Sequence, residues 1–315
     1  MSRDTADSSR RRLLATAALA PLLPALGALG GCASAPLSPI QAKETTDPAA
    51  LALFNDCATA HGLNAWRRVK DLNVSYSGEW RPLIGRIQPE LTDTRFRDSS
   101  QERLLPAEGL IAQTHIGPGG HKQVVRRMGQ GSGTGDVQVW YNGRPTTDEP
   151  LRQASALVAD GYRLFLLGPL ALVDRPQVMK LAGLEQVGDY ACERLMVRLV
   201  PGLGFSPVEQ IVLCIDRRTR LMRRVPFTLE GLTSTRGAVA EVDVSDFQNF
   251  QGIEWPTRFQ ERLRKPIPHL PVHDWQLTGL DLNRGWSAAD ITGSQFAGVA
   301  KSAAKALPGS NPVLS

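Results

Sequence analysis

Apolar and polar residues alternate with different periods along the chain, and each change of period marks an element. Leu51, Phe54, Ala58 and His61 recur at three- and four-residue intervals, which places them on one face of a helix. Asp47-Pro48 offers an N-cap followed by proline at the first helical position, and Gly62 is placed to stop the helix. From Trp66 the period falls to two. Leu72, Val74 and Tyr76 alternate with Asn73, Ser75 and Ser77, the pattern of a half-buried strand. Further strands are expected at residues 92–98, 109–116, 122–128 and 137–141. Between them lie turn signals at Pro89, Ser99-Ser100, Gly117-Pro118-Gly119-Gly120, 129–135 and Asn142-Gly143. Strands joined by short turns form an antiparallel meander.

A long helix interrupts the meander. From residue 148 to 167, Leu151, Ala154, Leu157, Val158, Leu164 and Phe165 keep helical spacing, Leu166 and Leu167 widen the apolar face, and Gly168-Pro169 ends the segment. A helix this apolar at one end must be covered by the sheet, by another helix or by a bound apolar molecule. Strands then resume at 184–187, 193–200, 209–215, 221–228, 238–247, 253–263 and 275–282. The fold class expected is mainly β (α+β): one large curved antiparallel sheet with helices packed on its concave side.

The ends of the chain read differently. Residues 9–14, Ser-Arg-Arg-Arg-Leu-Leu, place a cationic block before an Ala/Leu-rich run, the order of a secretory signal. The adjacent arginines also suit a twin-arginine signal, so either export route stays open. The run closes at Leu29-Gly30-Gly31-Cys32, which resembles the lipobox of bacterial lipoproteins, in which the cysteine sulfur carries the lipid. Pro21, Pro24, Gly27, Gly30 and Gly31 break the run, against a membrane-spanning helix. Residues 1–31 are therefore read as a signal peptide, 32–46 as a lipidated flexible tether, 47–290 as the folded domain, and 291–315, poor in large side chains, as a disordered tail. Ala33 follows the cysteine where inner-membrane lipoproteins typically have Asp, so the resemblance implies an outer-membrane anchor facing the periplasm.

Composition narrows the chemistry. The chain is 42% hydrophobic, ordinary for a globular protein, and its formal charge of +5 falls to about +3 without residues 1–31. Lys and Arg are scattered, with no footprint for nucleic acid. Gly129, Gly131, Gly133 and Gly135 do not make a dinucleotide fingerprint, and the neighbours of Ser132 do not make a nucleophile elbow. His269, His273 and Asp274 have metal-binding side chains, but Pro266, Pro268 and Pro271 argue against the helix that would align them. His115 and His121 flank a glycine turn and read as solvated and not catalytic, Trp80, Trp140, Trp255 and Trp275 suit core or barrel-rim positions, and Arg217, Arg218 and Arg220 suit a solvated turn. No catalytic residue, metal or cofactor is read from these patterns.

The His61-Gly62 to Trp66 opening, residues 72–76, the helix end Tyr162 to Pro169, Cys214-Ile215-Asp216, and Asp246-Phe247 through Ile253-Glu254-Trp255-Pro256 resemble the LolA/LolB-type lipoprotein-sorting superfamily. The resemblance runs over roughly residues 47–284 and implies a half-open barrel holding helices in its mouth. It also implies an acyl chain, such as palmitate, or another hydrophobic molecule as ligand. The 148–167 helix is covered either by a packed core or by that ligand, and Leu164, Phe165, Leu167 and Trp140 are the candidate ligand contacts. The function expected is that of a lipid-anchored, non-catalytic envelope protein that binds or carries such a ligand. The alternatives are an envelope hydrolase on the same anchor, which needs a nucleophile or metal with a positioned base, and an assembly partner of an envelope complex, which needs an exposed apolar patch. With Cys32 acylated, Cys57, Cys192 and Cys214 remain, and the hairpin they flank permits, without requiring, a Cys192–Cys214 disulfide.

If Cys32 carries the lipid, Cys32→Ala leaves an unprocessed precursor without acyl mass. Intact-mass analysis of membrane-extracted protein reads this directly, and a mature N-terminus at another residue contradicts it.

Overall fold

The computed structural model describes residues 39–296 except 130, 132 and 176. Cys32, the signal segment and most of the expected tail lie outside the described residues. In chain order the first half comprises α1 (Pro48–Ala60), α2 (Leu63–Trp66), β1 (Leu72–Trp80), α3 (Pro82–Ile87), α4 (Pro89–Thr92), β2 (Ser99–Leu105), β3 (Leu110–Gly117), β4 (Gly120–Met128), β5 (Gly135–Tyr141), β6 (Arg144–Pro145) and α5 (Glu149–Leu167). The second half comprises β7 (Gln177–Val187), β8 (Tyr190–Leu199), β9 (Glu209–Asp216), β10 (Met222–Thr228), β11 (Val239–Ser245), β12 (Gln248–Phe250), β13 (Ile253–Trp255), β14 (Arg258–Lys265), β15 (Leu270–Leu282) and α6 (Ala288–Ile291).

Thirteen of these strands form one antiparallel sheet in the order β6-β5-β4-β3-β2-β1-β15-β14-β11-β10-β9-β8-β7. The last long strand, β15, inserts between β1 and β14 and so joins the two meanders, while β12 and β13 form a separate hairpin. The sheet does not close, because β6 and β7 are end strands without each other. This is a mainly β, half-open barrel of the kind expected.

Alternation along the strands gives the sheet two faces. On the inner face Leu72, Val74 and Tyr76 of β1, Val225 and Phe227 of β10, Ala240, Val242 and Val244 of β11, and Phe259 and Trp275 of β14 and β15 join the helices in one core. The outer face carries smaller clusters. One gathers Ile40, Val187, Cys192, Met196, Val212 and Cys214. Across β10, β11 and β14 the outer face is instead a network of ion pairs, with Arg224 and Arg264 on Glu185 at 2.9 and 3.2 Å, Arg264 on Glu241 at 3.0 Å, and Arg224 and Arg262 both on Asp243.

α1 forms as its caps predict: the Asp47 side chain accepts from Ala49 N–H, His61 closes the helix, and Gly62 follows at φ 94°. α5 begins where Asp148 accepts from Leu151 N–H at 3.0 Å and ends at Gly168. It is held by a buried ion pair. Arg126 of β4 donates from Nη2 to Asp160 Oδ2 at 2.8 Å and to the Gly204 carbonyl at 2.8 Å, while Gly204 N–H donates to the same carboxylate at 2.8 Å.

Several expectations are corrected. Residues 92–98 are not a strand: Pro82 and Pro89 start the short helices α3 and α4, and Asp93, at φ 44°, turns the chain toward β2. The Ser99-Ser100 pair opens β2 instead of a turn. The tether expected over 32–46 is not free from residue 39 onward. Ile40 is buried, its N–H donates to Gln210 Oε1 at 2.9 Å, and Asp47 N–H donates to the Met179 carbonyl at 3.0 Å on the edge strand β7. Order also continues past residue 290, since Ile291 is fully buried and Arg103 lies between the rings of Trp286 and Phe296 at 3.8 and 4.2 Å. Among the described residues no helix is long and apolar enough to cross a membrane.

The Arg126 and Asp160 side chains are 2% and 1% exposed, so removing one partner leaves a charge with neither water nor counter-ion. Asp160→Ala is expected to cost about 3–5 kcal/mol, and an apolar replacement of both residues to recover a large part of it. Urea unfolding of the single and double variants measures both, and a loss under about 1 kcal/mol in the single variant contradicts the role assigned to the pair.

Candidate functional site

Beside α5, and not beneath it, α3 and α4 stand over the inner face of β14 and β15 and leave an apolar cavity of about 360 Å³. Proline at the first turn of each helix sets their direction. Ile84, Ile87 and Leu91 form one wall, Leu263, Pro266, Ile267 and Val272 the opposite wall, and Leu229 and Ala238 the side nearest β10. The two walls are tied at the rim, where Gln88 Nε2 donates to the Ser234 carbonyl at 3.2 Å and Ser234 Oγ donates to Gln88 Oε1 at 3.0 Å. Thr235 is satisfied internally by donating to the Leu229 carbonyl at 2.8 Å. Ile87 and Ile267 remain 47% and 50% exposed at the opening. This volume lies in the range of about 300–1,000 Å³ usual for small-molecule sites.

The inner end of the site is a column of flat groups. Trp80 stacks on His273 at 3.9 Å, His273 on Trp275 at 4.6 Å, and Trp275 on Phe259 at 5.0 Å. The Arg97 guanidinium caps the column 4.6 Å from the Trp80 ring, donates to the Leu91 carbonyl at 2.8 Å and to the Tyr162 hydroxyl at 3.2 Å, and so fastens α4 to α5. Gly78 makes the column possible, because a Cβ there would lie 2.4 Å from Cβ of Trp275.

Behind Arg97 the inner face of β2 to β5 is polar and buried. Gln113 Nε2 donates to Glu102 Oε1 at 2.7 Å, and burial pushes the Glu102 carboxyl up to about 8. Lys122 and the Tyr141 hydroxyl both reach Asp93 Oδ2 at 2.7 Å, and burial lowers the Lys122 ammonium to about 8. His115 and His273 are held neutral, first by burial and then by the Arg97 charge. His61, on the far side of the core, is pushed down to about 3 by burial, and its Nε2 accepts from Met222 N–H at 3.0 Å.

The sequence-based candidates fall elsewhere. Leu164, Phe165 and Leu167 are 2%, 5% and 1% exposed within the main core, with Phe165 5.2 Å from the Phe227 ring and 6.1 Å from Trp275. The cover on α5 is protein, and these three residues do not line the cavity. Trp140 sits on the outer face against a cluster containing Leu105, Ala112, Val125, Trp286 and Ile291. Cys192 and Cys214 share the outer cluster and are free thiols, so the bridge that the hairpin permits without requiring is not formed. Cys192 pairs with Asp216 and Cys214 with Arg194, so the two are diagonal neighbours. Diagonal Cα atoms lie about 7–8 Å apart, beyond the usual span of about 5.5–6 Å for a disulfide. His269 lies in the turn before β15 at φ 60° while His273 is buried in the aromatic column, so the two rings are not brought together. Among the described residues no group of three or more His, Cys, Asp or Glu is placed to hold a metal. The sequence analysis gives no helix at the α3–α4 wall; the local signal is proline at the first position of each helix, Pro82 before Leu83-Ile84 and Pro89 before Glu90-Leu91.

No protein-family model and no curated protein matches the chain. Solved structures do. A DUF1329 family protein from Desulfovibrio piger is 13% identical, covers 78% of this chain and 98% of its own, and superposes with a TM-score of 0.50. The LolA superfamily protein NE2245 from Nitrosomonas europaea is 12% identical, with 77% and 97% covered and a TM-score of 0.39. At 13% identity the likeness to the DUF1329 family protein is one of fold.

The Glu102 carboxyl holds its proton in the fold to about pH 8 and releases it near 4.5 when unfolded. Its contribution to stability is therefore fully present below pH 4.5 and is lost as pH rises toward 8, with a slope of up to about 1.4 kcal/mol per pH unit. Glu102→Gln cannot ionise, so its stability relative to the wild type should rise across that window. Parallel urea unfolding at several pH values checks the difference, and a pH-independent gap between the two proteins contradicts it.

Proposed function

We propose that the chain is a lipid-anchored, non-catalytic protein of the bacterial cell envelope. It binds or carries an acyl chain or similarly shaped hydrophobic molecule in the cavity between α3–α4 and β14–β15. The observation that supports this most is the cavity itself, about 360 Å³ with walls of Ile, Leu, Val and Pro side chains and an opening framed by exposed Ile87 and Ile267. Apolar surface left in contact with water is unfavourable by about 25 cal/mol per Å², so an apolar ligand entering this space gains what the fold has not already gained by packing. Leu83, 50% exposed on the same short helix as Ile87, extends the apolar rim.

A carrier needs apolar walls and an opening, and this cavity supplies both. His273 and Arg97 of the neighbouring column are engaged in stacking and in tying α4 to α5, which supports a binding role over a catalytic one. The lipobox-like Leu29-Gly30-Gly31-Cys32 supports the envelope location and the anchor.

Titration with a fluorescent fatty-chain probe is expected to saturate at one site per chain. Because Ile87 and Ile267 are half exposed, Ile87→Asp with Ile267→Asp should change stability by no more than about 0.5 kcal/mol per site yet weaken binding at least about tenfold. A folded wild-type protein with no saturable binding contradicts the reading, as does undiminished binding in the double variant.

A further inference from the structure

Of the polar residues of the cavity wall, Gln88, Ser234 and Thr235 are hydrogen-bonded within the protein and Arg236 faces Glu230 at the rim, and Glu261 differs from them. Glu261 lies on β14 directly opposite His273 of β15 and Val242 of β11, and its half-buried side chain lines the cavity. Its carboxyl makes no hydrogen bond and no ion pair with any described residue. The cation nearest in effect, Arg97, is engaged by the Leu91 carbonyl, the Tyr162 hydroxyl and the Trp80 ring and makes no salt bridge to it. A carboxyl facing an apolar cavity without a partner has strong acceptor capacity that an empty hydrocarbon ligand would leave unmet.

Building on the binding reading above, we propose that Glu261 selects the ligand: the cavity takes an apolar chain whose polar end donates hydrogen bonds and bears no negative charge, an ammonium or a hydroxyl and not a carboxylate. A fatty-acid anion would place a second carboxylate beside Glu261, and like charges at close range are mutually destabilising. Arg236, the other ionisable residue of the wall, does not offset this. It sits at the rim with a side chain 66% exposed and lies 3.8 Å from Glu230, so it is screened by water and already faces an acid.

The charges around Glu261 come from several elements. Arg97 follows α4, Tyr162 is on α5, His273 is opposite on β15, and Arg236 is in the loop before β11. His273 is kept neutral and the Tyr162 hydroxyl is kept protonated, each chiefly by burial. Burial lifts the Glu261 carboxyl to about 7, against the Arg97 charge, which lowers it. Near neutral pH the group therefore passes from a neutral acid, able to donate as well as accept, to an anion that favours a cation. An alkylammonium should bind more tightly as pH rises through about 7, a fatty-acid anion more weakly, and an alkanol with little change.

The test is competition of an alkylamine, an alkanol and a fatty acid of one chain length against the fluorescent probe, at pH 6 and pH 8, on the wild type, Glu261→Gln and Arg236→Gln. At pH 8 the wild type is expected to prefer the amine over the acid at least about tenfold. Glu261→Gln, which keeps size and fold, should abolish both that preference and its pH dependence, while Arg236→Gln keeps the amine ahead. A wild type that binds the acid as well as the amine overturns the inference, and so does a preference unchanged in Glu261→Gln. Failure of all three compounds to displace or bind overturns the cavity reading itself, a result distinct from binding without selection.

Discussion

A sheet that curves without closing leaves an inner face that must be covered, and here the cover is fixed by one buried ion pair. Arg126 on β4 holds Asp160 in the middle of α5, and Gly204 from the β8–β9 connection joins the same carboxylate. Because both side chains are removed from water, neither can find another partner without a large desolvation cost. The helix is therefore pinned in register with the sheet. The apolar C-terminal half of α5 then lands on Phe227, Trp275 and their neighbours as a packed core.

With α5 occupying the middle of the sheet, the opening moves to one side. There α3 and α4 stand off β14 and β15, fastened at one end by Arg97 to α5 and at the other by the reciprocal Gln88 and Ser234 bonds. The aromatic column of Trp80, His273, Trp275 and Phe259 stands beside this space under the Arg97 guanidinium. An apolar cavity and a cluster of buried ionisable groups thus occur in one fold.

The legible part of the site was its chemistry class. Apolar residues in excess of what one sheet can bury implied an apolar interior, and the expected meander, the helices α1 and α5 and the curved antiparallel sheet follow from period and turn signals, while the half-open barrel was what the family resemblance implied. The cavity residues were not legible in the same way. Ile84, Ile87 and Leu91 lie in helices of six and four residues, too short to show a period. Glu261 reads as one charged position in the polar stretch Gln260-Glu261-Arg262, and nothing local distinguishes it from the Glu241 and Asp243 of the outer network.

What the sequence determined by itself is what depends on near neighbours. Asp47 and Asp148 cap helices, Gly62 and Gly168 end them, and the alternation of Leu72, Val74 and Tyr76 makes a strand, because each of these rests on contacts within a few residues. Only the tertiary structure decided what depends on partners far along the chain. It inserted β15 between β1 and β14, offset Cys192 from Cys214 by two positions, and buried Leu164 and Phe165 under protein. It also brought Glu261 into the wall of an apolar cavity, where its carboxyl has no hydrogen-bond or ion-pair partner among the described residues. The physical reason is that burial and charge environment are sums over residues that the pairing register brings together, and register is set across the whole sheet and not by any one segment.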